Sequence, residues 1–303
     1  MSTNVNATIM GTAARRTPMA VATRGVRVVL RVLLYALLVV IAIAMLFPYV
    51  WMFSGSFRSQ SEIFANLYPL TIWTLWPQEW TLDNFKALLE LRPYPFTHYV
   101  MNSLIVAVTV TTLSLVVNAF AAYVFARVPF KGRNQMFALF LATTIIPFEV
   151  IAIPLYLEMR LFNWVDTYWA LIIPFAASPF GMFLLRQFFL AIPYELEEAA
   201  RMDGCSRFGA FWRIILPNSL PALIAFAIIR FQLSWDSFLW PLIAGSAPEV
   251  RVIQVAIATF DSDIEIKWNL IFAAAVIASV PVILLVAFLQ RYYVQGVSTS
   301  GFK

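Results

Sequence analysis

The 303-residue chain is 61% hydrophobic and 12% charged, with a formal net charge of +5. Soluble domains carry about a quarter charged residues, so this composition excludes an ordinary soluble domain, and a mean hydropathy of +0.79 describes a polytopic membrane protein. One cysteine and one histidine, Cys205 and His98, exclude an internal disulfide, a zinc cluster and a catalytic triad.

Residues 1–28 open the chain with a Ser-, Thr-, Ala- and Asn-rich stretch ending in arginines, which predicts a cytoplasmic tail. Apolar runs long enough for a hydrocarbon core, about 20 residues each, follow near 29–53, 99–127, 136–157, 168–190, 219–244 and 270–290. The expected fold is therefore an all-α polytopic membrane protein with six transmembrane helices, a membrane domain over 29–290 and a cytoplasmic C-terminal tail over 291–303. The first run is too long for a secretion signal and lacks a small-residue cleavage site, so it is expected to be a retained span.

Lys and Arg set the orientation. Arg15, Arg16, Arg24, Arg27 and Arg31 precede the first span; Arg127, Lys131 and Arg133 lie between the second and third; Arg201, Arg207 and Arg213 lie between the fourth and fifth. Both termini and the loop near Arg207 are thus expected to face the cytoplasm of a bacterial or archaeal inner membrane. The basic charge is a topology signal spread over several loops, so no nucleic-acid partner is expected.

Between the fourth and fifth runs lies the most specific pattern. Pro193 suits a first helical position, Glu195, Glu197 and Glu198 suit the positive start of a helix, and Asp203-Gly204 supplies a left-handed stop. A second helix follows, with Phe208, Phe211, Trp212 and Ile215 at i, i+3, i+4 and i+7 as one apolar stripe. Glu198, Ala199 and Ala200, then Asp203 and Gly204, then Ile214, Leu216 and Pro217 stand at the spacing of the EAA loop. At these residues the chain resembles the permease subunits of binding-protein-dependent ABC importers. The likeness extends through Arg186-Gln187-Phe188-Phe189, through 235–241 from Trp235 to Pro241, and through 290–296 from Gln290 to Gly296. It is the carbohydrate-uptake branch that these stretches resemble, in particular permease subunits of the maltose and glycerol-3-phosphate type.

That resemblance implies a cytoplasmic helix pair resting on a separate ATPase. Glu198 would be a charged contact, Ala199 and Ala200 would allow close approach, and Gly204 would permit the bend. Gly296 would make a further ATPase contact. The implied partners are a sister permease forming a heterodimer, two ABC ATPase subunits, an extracytoplasmic solute-binding protein and membrane lipid. No GxxxxGK[ST] phosphate loop occurs in the chain, so it is expected to be non-catalytic, with no metal or organic cofactor of its own.

For the substrate pathway, Glu149, Arg230 and Asp236 lie in or near apolar runs, where an ionisable group is costly unless partnered or wetted. Each could equally be an interhelical contact. Arg230 and Asp236 are six residues apart and need a helix break to meet. Trp235 and Trp240 beside Asp236 could stack on a sugar, which predicts a sugar or oligosaccharide as solute; Arg230 could instead hold a phosphate, as in glycerol-3-phosphate or a related polyol. Pro147, Pro154, Pro174, Pro179, Pro221, Pro241 and Pro281 fall within or beside the spans, where broken helices are tolerated only if protein or a cavity satisfies the freed backbone, so the third, fourth and fifth spans are the expected lining of the pathway. A secondary transporter is the rival class, disfavoured by only six spans and no inverted duplication.

Overall fold

The computed structural model describes residues 18–65, 68–69, 71–261 and 266–298, with side chains described for 27 and from 29 to 288 within those ranges. The chain divides into two compact units, Met1–Trp51 and Met52–Lys303. Helix α1 (Pro18–Gly55) carries the first unit; its apolar part, Val29–Gly55, is 27 residues long, about 40 Å at 1.5 Å per residue.

Among its described residues, the extended regular elements of the second unit are helices. Among the described residues the nearest approach to a sheet is one isolated bridge, Asp261 with Ile266. The segment between the first two apolar runs contains three short helices, α2 (Gln60–Ala65), α3 (Ile72–Leu75) and α4 (Asp83–Leu89). A buried polar knot organises it. Arg58, 1% exposed, donates from Nη1 to the Thr74 carbonyl (3.0 Å). Asn84 donates to the Ser56 and Arg58 carbonyls (2.9 and 2.8 Å) and accepts from Asn269 (2.7 Å). Burial pulls the Arg58 pKa down, and the Glu62 carboxylate pushes it back up.

Helix α5 (Phe96–Arg127) is the central post, packed against α9 (Pro179–Ala191) and α13 (Leu220–Trp235). Between them run α6 (Arg133–Ala142), α7 (Phe148–Leu161), α8 (Tyr168–Ile172), α10 (Tyr194–Met202), α11 (Arg207–Ala210) and α12 (Leu216–Asn218). After α13 come α14 (Leu239–Ala244), α15 (Ile253–Ala258) and α16 (Trp268–Ser298). The outermost helices overrun the expected edges at 29 and 290, starting at Pro18 and ending at Ser298.

Among the described residues, three helices are long and apolar enough to cross a membrane: Val29–Gly55, Phe96–Arg127 and Trp268–Phe288. Three bent helix pairs have the same apolar length, which gives up to six spans if each pair is one span. The expected third, fourth and fifth spans are therefore not continuous helices, and prolines explain each break. Arg133–Ile145 and Phe148–Leu161 meet at 100°, because Ile146 precedes Pro147 and is held extended (φ −79°, ψ 116°). Tyr168–Phe175 and Pro179–Ala191 meet at 41° across 176–178. Arg207–Asn218 and Leu220–Trp235 meet at 77° at Ser219, where Pro221 cannot donate to the Pro217 carbonyl. The fifth span is interrupted again at Asp236–Phe238, since Pro241 leaves the Ser237 carbonyl without its i+4 donor.

Packing at the α9–α13 crossing is close. A Cβ on Gly181 would lie 2.2 Å from the Phe226 ring, so Gly181→Ala is expected to push the two helices apart and destabilise the chain by about 1–3 kcal/mol. Thermal unfolding of the purified complex measures this; an unchanged midpoint would show that the crossing yields freely.

Candidate functional site

The segment from Pro193 to Pro217 forms a helical elbow. Helix α10 ends as the residue types require: Asp203 is its C-cap, Gly204 has φ +82°, Gly204 N–H bonds the Arg201 carbonyl (3.0 Å) and Cys205 N–H bonds the Ala200 carbonyl (2.9 Å). This pair of bonds is a Schellman stop, which tolerates glycine at the left-handed position without strain. Ser206 then caps the second helix, accepting from Gly209 N–H (3.1 Å). That helix runs through α11, a π-helical turn at Phe211–Ile215 and α12.

The expected stripe on this helix is split. Phe211 and Ile215 are buried in a core with Tyr123 and Ala126 of α5, Leu185 and Phe189 of α9 and Phe226 of α13. Phe208 and Trp212 are 61% and 51% exposed, and Met202 on α10 is 88% exposed. The cavity offered by α5 and α9 takes only half of a stripe that spans i to i+7. Glu198, Ala199, Asp203, Gly204 and Pro217 are exposed; Ala200, Ile214 and Leu216 are half-buried. Charge, small residues and apolar rings are thus all exposed on the elbow.

What holds the elbow to the bundle lies one residue before Glu198. Arg127 Nε sits 3.2 Å from Glu197 Oε1, with the two side chains 5% and 6% exposed. It is an ion pair without hydrogen-bond alignment. Arg127 also donates from Nη2 to the Phe189 and Ile192 carbonyls, and its guanidinium lies 5.7 Å from the centre of the Tyr194 ring. Tyr123 donates to Glu197 Oε2 (3.3 Å) and approaches the Arg207 carbonyl (3.0 Å). The end of α5, the end of α9 and both arms of the elbow therefore meet on one buried charge pair. In the sequence Glu197 reads as a helix-start acid and Arg127 as a topology cation, and no local pattern pairs them across 70 residues.

The pathway candidates separate. A narrow cleft is lined by Arg230, Ser234, Ser237, Trp240, Phe175 and Leu171 among others. Arg230 donates from Nη2 to the Phe175 carbonyl (2.6 Å) and faces the Phe175 ring at 5.6 Å. Pro179, four residues after Phe175, has no N–H for that carbonyl, so Arg230 replaces the missing donor. Trp240 does the same for Pro174: its Nε1–H donates to the Ala170 carbonyl (2.9 Å), and its ring is packed by Phe148 and Phe175. Trp235 donates to the Ala278 carbonyl (3.1 Å) and stacks on Phe231.

Both indoles are 1% exposed. The expectation that Trp235 and Trp240 present two free stacking faces is therefore corrected: each is committed to filling the bundle and satisfying a backbone carbonyl. Asp236 is exposed at the end of α13 and bonded to Gln232, outside the cleft lining. Glu149 is exposed in the first turn of α7 and has no side-chain hydrogen bond or ion pair to another described residue. Gly296 falls within α16, and its surroundings lie outside the described residues.

Polar side chains also repair the fourth-span break. Asn118 of α5 accepts from Ser178 N–H (3.0 Å) and donates to the Ala176 carbonyl (3.3 Å) and to Ser114. At the other end of α5, Asn102 binds the Glu249 and Arg251 carbonyls (3.0 Å each) and accepts from the Tyr168 hydroxyl (2.7 Å). His98 reaches the Glu249 carbonyl (2.9 Å). The first turns of α5 are thus joined to the segment between α14 and α15.

Residues 115–299 match the family model described as binding-protein-dependent transport system inner membrane component. The arabinooligosaccharides transport system permease protein AraQ of Halalkalibacterium halodurans is 34% identical over 263 residues, 87% of this chain and 93% of its own. The trehalose/maltose transport system permease protein MalG of Thermococcus litoralis is 32% identical over 276 residues, 90% of this chain and 97% of its own. Among solved structures, a chain of a bacterial ABC transporter involved in the import of the acidic polysaccharide alginate shares the fold, with a TM-score of 0.78 at 22% identity over 88% of this chain and 96% of that one. A helical bundle of apolar spans with a capped elbow between the fourth and fifth, matched along its length by such permeases, belongs to the family of binding-protein-dependent transport system inner membrane components.

Proposed function

We propose that the chain is one permease subunit of an ATP-driven importer for a sugar or oligosaccharide, forming half of the translocation pathway. The solute would be delivered by an extracytoplasmic binding protein, and ATP hydrolysis would reside in two separate ATPase subunits. The names of the relatives, arabinooligosaccharide and trehalose/maltose permeases, support the solute class. The elbow carries the mechanism. Its outward surface of Glu198, Ala199, Met202, Phe208 and Trp212 suits a cleft on an ATPase, and the buried Arg127–Glu197 pair would pass displacement to α5 and α9. Residues 29–290 are the proposed membrane domain, with 1–28, 291–303 and the elbow on the cytoplasmic side. Gly296 is retained as a secondary ATPase contact.

Glu198→Lys is expected to leave folding unchanged, since Glu198 is exposed, and to abolish solute uptake by reconstituted complexes. Gly204→Pro should abolish uptake too, because proline cannot adopt the φ of +82°. Wild-type uptake in both variants would remove the coupling role. Orientation has its own check: reporter fusions after Lys131 and near Arg207 should read cytoplasmic, and alkaline phosphatase activity at either would reverse it.

A second reading of the solute is favoured by one observation. Arg230 faces the cleft, no carboxylate lines it, and Ser234 and Ser237 add hydroxyls. A phosphorylated polyol or other anionic sugar would suit this arrangement. Uptake of neutral and anionic oligosaccharides by Arg230→Gln separates the two readings: selective loss of the anionic solute favours the second, and equal retention of both returns Arg230 to its backbone role. Asp236→Ala tests the remaining polar candidate by the same assay.

A further inference from the structure

A second cleft, of about 780 Å³, opens where α5 and α16 begin. Three cations line it: Arg92 from the loop before α5, Arg251 from the loop before α15, and Lys267 at the start of α16. Arg251 is fixed in place, donating from Nε and Nη2 to the Ser246 carbonyl (3.0 and 2.7 Å). Its Nη1 has no partner among the described residues, and none of the three cations is ion-paired among them. The described acids nearest to them in sequence, Glu90, Glu249 and Asp261, do not line the cleft. The floor is of a different kind: Leu91, Phe260 and Leu270 give it an apolar surface.

Depth decides what such a cleft can hold. Tyr99 and Leu270, both in its lining, stand in the first turns of the continuous apolar spans Phe96–Arg127 and Trp268–Phe288. The cleft therefore sits at a membrane boundary whichever way the chain is oriented. A soluble anion would use the cations and leave the apolar floor bare. An amphiphile uses both, with its phosphate among the cations and its chains against Leu91 and Leu270. We propose that this cleft binds the headgroup phosphate of an anionic phospholipid, held by Arg92, Arg251 and Lys267. This site does not depend on the solute, and it is separate from the Arg230 cleft.

The test uses the chain assembled with its co-expressed partners, in nanodiscs containing equal phosphatidylglycerol and phosphatidylcholine. Native mass spectrometry of the released complex is expected to show phosphatidylglycerol retained in preference to phosphatidylcholine. Each cation replaced by glutamine should weaken retention roughly five-fold, and the triple Arg92→Gln, Arg251→Gln, Lys267→Gln variant roughly a hundred-fold. Lys86→Gln, an exposed cation outside the cleft, should change nothing. If the triple variant fails to assemble, Arg92→Gln alone, on an exposed loop residue, gives the same reading. Equal retention of both lipids by the native chain overturns the proposal, as does unaltered retention in Arg92→Gln. Displacement of phosphatidylglycerol by inorganic phosphate at constant lipid content would assign the cleft to a soluble anion and overturn the lipid reading.

Discussion

Replacing Glu197 with alanine is expected to destabilise the chain by about 3–5 kcal/mol, the cost of leaving one member of a buried ion pair without its partner. Arg127 is 5% exposed, so water cannot take the place of the carboxylate without opening the core around Phe189 and Phe211. The loss is expected as a lowered thermal midpoint of the purified complex together with loss of uptake. Glu198→Ala, one residue away and exposed, should leave the midpoint within about 0.5 kcal/mol of native while still impairing uptake. The joint replacement Arg127→Met and Glu197→Met should recover most of the stability, because two apolar side chains fill the space with no stranded charge. A Glu197→Ala complex as stable as the native one would show that the elbow is held by Phe211 and Ile215 alone.

Asn118→Leu is the second large effect. Leucine matches the volume but leaves Ser178 N–H and the Ala176 carbonyl without partners, in a segment where lipid cannot supply them. Single interhelical hydrogen bonds in membranes are worth about 0.6 kcal/mol on average, and stranded buried groups cost more. The sum is expected to be about 2–3 kcal/mol. Hydrogen exchange at Ser178 locates the effect: the amide should exchange faster in the variant while the Ser206-capped Gly209 amide stays protected. Unchanged exchange at Ser178 would mean the break is satisfied by other means.

The residues that were legible in the sequence act locally. Asp203-Gly204 and Ser206 form their stop and cap with partners within five residues, and the six apolar runs are set by composition, so both could be read in one pass. Pro154 and Pro281 lie inside the continuous helices α7 and α16, whereas Pro147, Pro179 and Pro221 were legible as breaks. What answers them was not: Arg230 reaches Phe175 across 55 residues, Trp240 reaches Ala170 across 70, and Arg127 meets Glu197 across 70. Nothing in local pattern couples such distant positions. The indoles show the hazard, since a Trp-Asp-Trp cluster reads alike whether it lines a cavity or closes a bundle. Burial and the direction of one N–H decide between these, and both belong to the tertiary fold.

The π-helical turn at Phe211–Ile215 carries a consequence for chain length. Such a turn amounts to one extra residue accommodated inside an α-helix. Deleting one residue there would let the segment relax to α geometry without breaking its hydrogen-bonded run. The segments on either side would keep their azimuth, because the wide turn absorbs the rotation of its extra residue, about 100° for one α-helical residue. The nine residues between Gly204 and Ile214 thus hold one residue of slack: a one-residue deletion at the turn is expected to leave Leu216, Pro217 and the entry to α13 where they are, whereas the same deletion inside the continuous helix α13 would turn every residue beyond it to a new face.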